Sequence, residues 1–220
     1  MYTVSDEYKA KIIAPARFMD YNGTITLSDG TTKTINCDNL EAGSLYYDVK
    51  AVSGSEFALG GCYAAELGFG LLYDSSNQYS LYGAKVEISI RLEIDENQFE
   101  SVPLGVFSVD EIQREKNVVY VKALDRMLMF DKAYPTDKIS AKLPLTLISE
   151  ACSACGVELS NTSLSGFANS SVKLSADENQ VGTYRELIGM VCEVIGAFAV
   201  INRYGKLEIK KVLRHSCCRI

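Results

Sequence analysis

Residues 85–94 read KVEISIRLEI and carry the clearest secondary-structure signal in the chain. Apolar side chains occupy every second position, and polar or charged side chains fill the positions between them. The apolar set is Val86, Ile88, Ile90, Leu92 and Ile94. A period of two kept over nine residues is typical of an antiparallel strand with one buried and one solvated face. We therefore predict an antiparallel β-strand whose apolar face is buried and whose other face is exposed to water.

The segments on either side of this strand also predict β-structure. Residues 24–27 and 31–35 flank Ser28-Asp29-Gly30, and an Asp-Gly turn between β-branched residues favours a tight hairpin. Residues 104–112 and 118–124 form a second predicted hairpin through residues 114–117. The glycine-rich residues 43–74 predict short strands with bulges, as in a small barrel. Ser5 is a predicted N-cap for a short helix that ends near Arg17.

The pattern changes after about residue 132. Pro144 begins a predicted helix that ends at Gly156. A second predicted helix begins with a capping box formed by Thr183 and Glu186, and it ends at Gly196. Residues 197–201 and 207–209 form a last predicted hairpin. The expected fold is α+β and β-rich, with small antiparallel β-barrel-like modules and a helix-and-hairpin module. The expected domains are 1–135, barrel-like with an N-terminal helix, and 136–220, with two helices and a C-terminal hairpin.

Composition and charge exclude several functional classes. Hydrophobic residues make up 47% of the 220, and the net charge of −6 argues against a partner bound through nucleic-acid phosphates. No apolar run approaches the roughly 20 residues of a membrane-spanning helix, and the N-terminus lacks the apolar core of a signal peptide. We therefore expect no nucleic-acid partner, no membrane segment, and synthesis in a reducing cytoplasm.

The charge is unevenly distributed along the chain. Residues 1–100 contain 7 Lys/Arg and 15 Asp/Glu, a net charge of −8, whereas residues 201–220 carry a net charge of +5. Complementary charges steer association and fix the register of a subunit contact. Ordinary solvated surface charge would give the same pattern, so both interpretations stay open.

Cys152-Ser153-Ala154-Cys155 is the motif that most needs a chemical test. A zinc site needs further ligands, but the chain has one histidine, His215, and Cys217-Cys218 are too closely spaced. A redox CxxC places its first cysteine at a helix N-terminus, whereas this pair lies near a predicted C-terminus. Packing in a reduced core is favoured over metal binding and redox chemistry, and the odd count of seven cysteines agrees with this.

No other pattern assigns catalytic chemistry. His215 lacks a partner that could orient it beside a nucleophile, and Gly68-Phe69-Gly70 lacks the third glycine of a dinucleotide fingerprint. Asp95-Glu96 and Asp177-Glu178 lie in turn-like stretches without calcium-loop spacing. A pair of glycosidase carboxylates stays open, since separation in space is not visible in sequence. We assign no catalytic, cofactor-binding or metal residues, expect no cofactor, and predict that the protein is not an enzyme.

Seven segments, read in order, resemble the hub or tail-associated protein at the tip of phage and prophage tails. They are residues 55–60 (SEFALG), 82–86 (YGAKV), 102–109 (VPLGVFSV), 119–127 (VYVKALDRM), 183–188 (TYRELI), 196–199 (GAFA) and 205–207 (GKL). Each is a short signature of a strand start or a helix cap. Their order and spacing over residues 50–210 give the resemblance its weight.

This resemblance implies a virion structural protein that forms a homotrimeric ring between the tail tube and a central spike or fibre. Its implied partners are the distal tail, tape-measure and spike or fibre proteins, and its location is the virion tail after assembly in the host bacterial cytoplasm. Larger relatives carry a C-terminal peptidoglycan-degrading or receptor-binding part. This chain ends at Ile220, which suggests a truncated chain, a separately encoded hub core or a decaying prophage gene.

Two alternatives to the hub remain. A carbohydrate- or ligand-binding tail-tip module would use tyrosines as stacking platforms, namely Tyr46, Tyr47, Tyr73 and Tyr79. A remnant of a peptidoglycan hydrolase is the less favoured alternative, and it would require a concave polar site with carboxylates of shifted pKa.

Overall fold

The computed structural model describes residues 2–50, 59–72, 81–135, 141–175 and 181–212. The chain divides into two compact units. The first contains Met1–Asp48 and Glu66–Asp125, and the second contains Val49–Ala65 and Arg126–Ile220. The segment between the two parts of the first unit therefore belongs to the second unit.

The first unit begins with a short helix, α1, at Asp6–Ile12. The Ser5 hydroxyl caps it by accepting a hydrogen bond from the Tyr8 amide at 3.0 Å. Asp6 and Glu7 lie in the first turn, where carboxylates stabilise the positive end of the helix dipole. The predicted N-cap is confirmed, but the helix ends before the predicted Arg17.

Seven antiparallel strands form the sheet of the first unit. They are β1 (Met19–Thr26), β2 (Thr32–Asn36), β3 (Tyr46–Asp48), β4 (Glu66–Leu72), β5 (Lys85–Asp95), β6 (Gln98–Glu115) and β7 (Val118–Asp125), in the order β2-β1-β5-β6-β7-β4-β3. Both predicted hairpins are present, and the α+β, β-rich class is confirmed. The pairing order ends at β2 and β3, so the described strands form no closed barrel.

The strand predicted from residues 85–94 is β5, and its apolar face is only partly buried. Val86, Ile88 and Leu92 are buried, as predicted, whereas Ile90 and Ile94 are half-buried. A bulge in the β5–β6 pairing lies between Ile88 and Ser89. Beyond it, β5 pairs with residues 98–103 of β6, a stretch that has no register partner in β7. The prediction that all five side chains are buried is therefore wrong for Ile90 and Ile94.

In its described residues, the second unit contains a 3₁₀ helix, two α-helices and a hairpin. The 3₁₀ helix is Arg126–Asp131, α2 is Pro144–Cys155, α3 is Tyr184–Val194, β8 is Ala197–Ile201 and β9 is Leu207–Lys211. Helix α2 ends at Gly156, whose φ of +67° suits glycine. The predicted capping box is present, since Thr183 Oγ1 accepts from the Glu186 amide and Glu186 Oε2 accepts from the Thr183 amide, each at 3.2 Å.

Both edges of the β8–β9 hairpin are covered by other segments of the same unit. Along β8, the Gly60 amide donates to Ala197 O and the Ala199 amide donates to Gly61 O, both at 2.9 Å. Along β9, the Ser160 amide donates to Leu207 O at 2.7 Å. These bonds satisfy edge groups that would otherwise be open to pairing with another chain. Residues 60–62 are thereby fixed to the hairpin.

The hydrophobic core of the second unit is built mainly from α2, α3 and the hairpin. Its fully buried members include Met127, Phe130, Ile148, Ile188 and Cys192, each 0% exposed. The buried side chains of the two helices belong to this core. Within the described residues, no helix is long and apolar enough to span a membrane.

Candidate functional site

The candidate residues that the structure describes do not gather into one site. Asp95 and Glu96 are exposed at the β5–β6 turn, as expected of a solvated turn. Among the residues that the structure describes, no group of three or more His, Cys, Asp or Glu side chains is placed to hold a metal ion. Outside the described residues lie Tyr73, Tyr79, Asp177, Glu178, His215, Cys217 and Cys218.

The CxxC thiols face the core of the second unit. Cys152 is 3% and Cys155 6% exposed. Burial, together with the neighbouring Cys155, raises the pKa of Cys152 to about 12. Burial also raises the pKa of Cys155, although the Lys132 charge opposes the shift. Both thiols are therefore protonated near neutral pH, in surroundings that suit packing better than nucleophilic or ligand chemistry.

Two cations lie at the C-terminal end of α2, close to these thiols in sequence. Arg126 Nη2 donates to Gly156 O at 3.0 Å, and Lys132 Nζ donates to Ala154 O at 3.2 Å. Unpaired carbonyls at a helix C-terminus attract positive side chains. The contacts connect α2 to the region of the 3₁₀ helix, so they have a structural explanation.

We predict that the purified chain carries no stoichiometric zinc at Cys152 and Cys155. Zinc binds thiolate, and a Cys152 pKa of about 12 makes deprotonation at neutral pH unfavourable. Elemental analysis of protein purified without chelator should find far less than one zinc per chain. The Cys152→Ala/Cys155→Ala variant is the matched control. About one zinc per wild-type chain, lost in that variant, would contradict the prediction.

Tyr46 and Tyr47, the described members of the proposed sugar-stacking set, both contact the sheet. The Tyr46 ring lies over Gly68 of the neighbouring strand, where a Cβ would overlap it. The Tyr47 ring meets Phe107 edge-on, with centroids 5.9 Å apart. Aromatic side chains placed over glycine help to fix strand register. These contacts give both tyrosines a structural role at the edge strand β3.

The polar end of Tyr46 belongs to a charged cluster on the same sheet. Its hydroxyl donates to Glu66 Oε1 at 2.6 Å, and Lys122 Nζ lies 3.3 Å from Glu66 Oε2 and 3.5 Å from Glu111 Oε1. The hydrogen bond to Glu66 is the main cause that raises the pKa of Tyr46 to about 12. The cluster links β3, β4, β6 and β7, and its hydrogen bonds are satisfied within the sheet.

A concave surface lies on the second unit. It has a volume of about 650 Å³ and lies along α2, between Tyr134 and Leu187. Lys142 Nζ bonds Glu150 Oε1 at 2.7 Å within it, and Tyr134 and Tyr184 meet edge to face at 5.1 Å. The charges of Lys142 and Glu150 neutralise each other on this surface.

The sequence analysis did not predict that Cys62 contacts Cys192. Cys192 is 0% and Cys62 8% exposed, and the Cys192 thiol donates a hydrogen bond to Cys62 Sγ. Cys192 is one of the buried residues of α3, a helix that was predicted from the sequence. Cys62 lies in a glycine-rich stretch without periodicity, so the sequence carries no signal for its partner.

Comparison with known proteins finds likeness in structure only. No protein-family model matches the chain, and no curated protein sequence matches it. A 43 kDa tail protein of prophage MuSo2 from Shewanella oneidensis superposes on 91% of the chain with a TM-score of 0.57 and 9% identity. Prophage tail protein gp18 from Listeria monocytogenes EGD-e superposes on 86% with a TM-score of 0.56 and 9% identity.

The chain has the fold of these prophage tail proteins. It spans 57% of the length of the Shewanella protein and 50% of the Listeria protein. The resemblance to phage tail proteins found in the sequence is therefore confirmed at the level of the fold. At 9% identity, the alignment transfers no individual functional residue.

Proposed function

We propose that this chain is a non-enzymatic structural component of a phage or prophage tail. The observation that supports the proposal is a fold shared with a prophage tail protein over 91% of the chain, a coverage that includes parts of both units. The net charge of −6 argues against a nucleic-acid partner bound through its phosphates. The two β3 tyrosines and the CxxC thiols have structural roles, which leaves assembly as the best-supported activity.

The finer proposal places the chain in the tail-tip or baseplate hub. Three copies would form a ring that joins the tail tube to a spike or fibre, with the distal tail and tape-measure proteins as neighbours. The two compact units described above would act as the two parts of each arm. Assembly would take place in the bacterial cytoplasm, and the finished ring would belong to the virion tail.

Charge segregation suggests how neighbouring copies would meet. Residues 1–100 carry a net charge of −8 and residues 201–220 a net charge of +5. Within the second unit, Lys206 Nζ lies 2.6 Å from Glu158 and Lys211 Nζ donates to Gly166 O at 2.6 Å. Such exposed contacts contribute little to stability, so these lysines can exchange partners when a neighbouring copy approaches. We propose that the basic segment, residues 203–219, faces the acidic first half of the next copy.

We expect association that is stoichiometric and salt-dependent once the neighbouring tail proteins are present. The chain would be co-expressed with the tail proteins encoded beside it, and size-exclusion chromatography with light scattering would give the mass of the complex. Three copies per complex are expected at low salt. The fraction assembled should fall as salt rises, because exposed charges are screened beyond about 8–10 Å near physiological ionic strength.

A pair of charge reversals tests the location of the contact. Lys210→Glu alters an exposed position in the basic segment, and Lys173→Glu makes the same change at an exposed position outside it. Lys210→Glu should reduce assembly and Lys173→Glu should not. Equal effects would contradict the charged contact. A chain that stays monomeric with every tail partner, yet cleaves peptidoglycan or binds a glycan tightly, would contradict the structural role itself.

A further inference from the structure

Residues 59–62 pack closely against α3, and glycine makes the approach possible. A Cβ on Gly60 would lie 2.6 Å from Gly189 O, and a Cβ on Gly189 would lie 3.1 Å from Gly60 O. Gly189 belongs to α3, so the backbone of the segment lies directly on the helix. The Gly60 and Ala199 amides fix the same segment to β8 through bonds of 2.9 Å. The backbone of this segment is therefore held on one side by α3 and on the other by β8.

This packing brings two buried thiols together. Cys62 Sγ lies 4.0 Å from the position that a Cβ on Gly189 would occupy, and Cys192 follows Gly189 by one helical turn on the same face. The Cys192 thiol donates a hydrogen bond to Cys62 Sγ. Both are free thiols, separated by about 130 residues in the sequence. The hydrogen bond between them brings the two sulfurs side by side, and proximity of the sulfurs is the first requirement for a disulfide.

We propose that Cys62 and Cys192 form an intramolecular disulfide when the chain meets a small disulfide oxidant such as oxidised glutathione, fastening residues 59–65 to α3. Formation of this disulfide is separate from the structural role proposed above, because it requires only the chain itself and an oxidant. A particle that leaves a reducing cytoplasm enters surroundings in which disulfides persist. The bond would then lock a segment that, before oxidation, is held by hydrogen bonds and packing.

The electrostatics select Cys62 as the attacking sulfur. The hydrogen bond from Cys192 lowers the pKa of Cys62, with the Ala199 amide and the Arg185 charge acting in the same direction against burial. The pKa of Cys192 is raised well above its ordinary value by the same hydrogen bond and by burial. Cys62 is also the more exposed of the two, at 8% against 0%.

The reaction balances with one oxidant molecule. The Cys62 thiolate attacks one sulfur of glutathione disulfide, forming a mixed disulfide and releasing one glutathione thiolate, which takes up a proton. The Cys192 thiol then loses its proton and attacks Cys62 Sγ, forming the intramolecular bond and releasing the second glutathione. Two protein thiols are oxidised and one glutathione disulfide is reduced to two thiols.

The test uses the full chain, purified with reductant and then incubated with oxidised glutathione near pH 8. Intact mass should fall by two hydrogens, and peptide mapping without reductant should find Cys62 joined to Cys192. The thermal midpoint should rise on the order of 5–10 °C and return with reductant, because the bond closes a long loop. Cys152→Ala/Cys155→Ala should keep this shift, whereas Cys62→Ala and Cys192→Ala should lose it.

Any other principal product overturns the proposal. A mixed disulfide that persists at Cys62, a bond that joins Cys62 to a different cysteine, or two thiols that stay reduced would each do so. Mapping on the wild-type chain decides the result even where an alanine variant fails to fold. The measurement needs no tail partner, so its outcome is independent of the proposed assembly role.

Discussion

Replacing Ile88 with alanine should lower the free energy of unfolding by about 2–5 kcal/mol. Ile88 is 2% exposed on β5, between β1 and β6 in the seven-stranded sheet. Its truncation removes buried methyl and methylene groups and leaves a cavity that the paired backbone on both sides cannot readily fill. Urea unfolding followed by circular dichroism measures the loss as a lower transition midpoint.

Ile90→Ala is the matched control because it makes the same chemical change two residues along the same strand. Ile90 is half-buried, where β5 pairs with the part of β6 that β7 does not adjoin, so its truncation should cost clearly less than that of Ile88. Equal losses for the two variants would show that the difference in burial between Ile88 and Ile90 is wrong. A negligible loss for Ile88→Ala would show that β5 does not lie at the centre of the core.

Local patterns in the sequence predicted most of the secondary structure. The alternation in residues 85–94 specifies a strand because side chains on a pleated backbone point to opposite faces. The Thr183–Glu186 capping box and the Gly156 terminus specify helix ends, because each satisfies backbone groups within a few residues. These features depend on neighbours in the chain, and neighbours in the chain are visible in the sequence.

Long-range pairing could not be predicted in the same way. The bulge opposite Ser89 depends on the register between β5 and β6, which no single strand encodes. The assignment of residues 49–65 to the second unit depends on contacts such as Gly60 with Gly189. The contact of Cys62 with Cys192 follows from that assignment. The local conformation of most segments could therefore be predicted from the sequence. The distant segment against which each one packs could not.

Gly60→Ala should destabilise the second unit by about 3 kcal/mol, because it combines two costs. Gly60 has a φ of +78°, a conformation that costs an L-residue roughly 1–2 kcal/mol. The new Cβ would also lie 2.6 Å from Gly189 O, and the backbone of α3 cannot move aside without disturbing its packing. Amide hydrogen exchange should report the damage locally, with faster exchange at Ala199, whose amide donates to Gly61 O.

Gly166→Ala separates the two costs. Gly166 lies in the same unit with a φ of +84°, but nothing lies within 4 Å of the position that its Cβ would occupy. Its replacement should therefore cost only the backbone strain, roughly 1–2 kcal/mol. The excess loss in Gly60→Ala measures the close contact between residues 59–62 and α3. If the two variants unfold at the same urea concentration and Ala199 keeps its protection, the segment does not pack on α3, and the approach of Cys62 to Cys192 loses its structural basis.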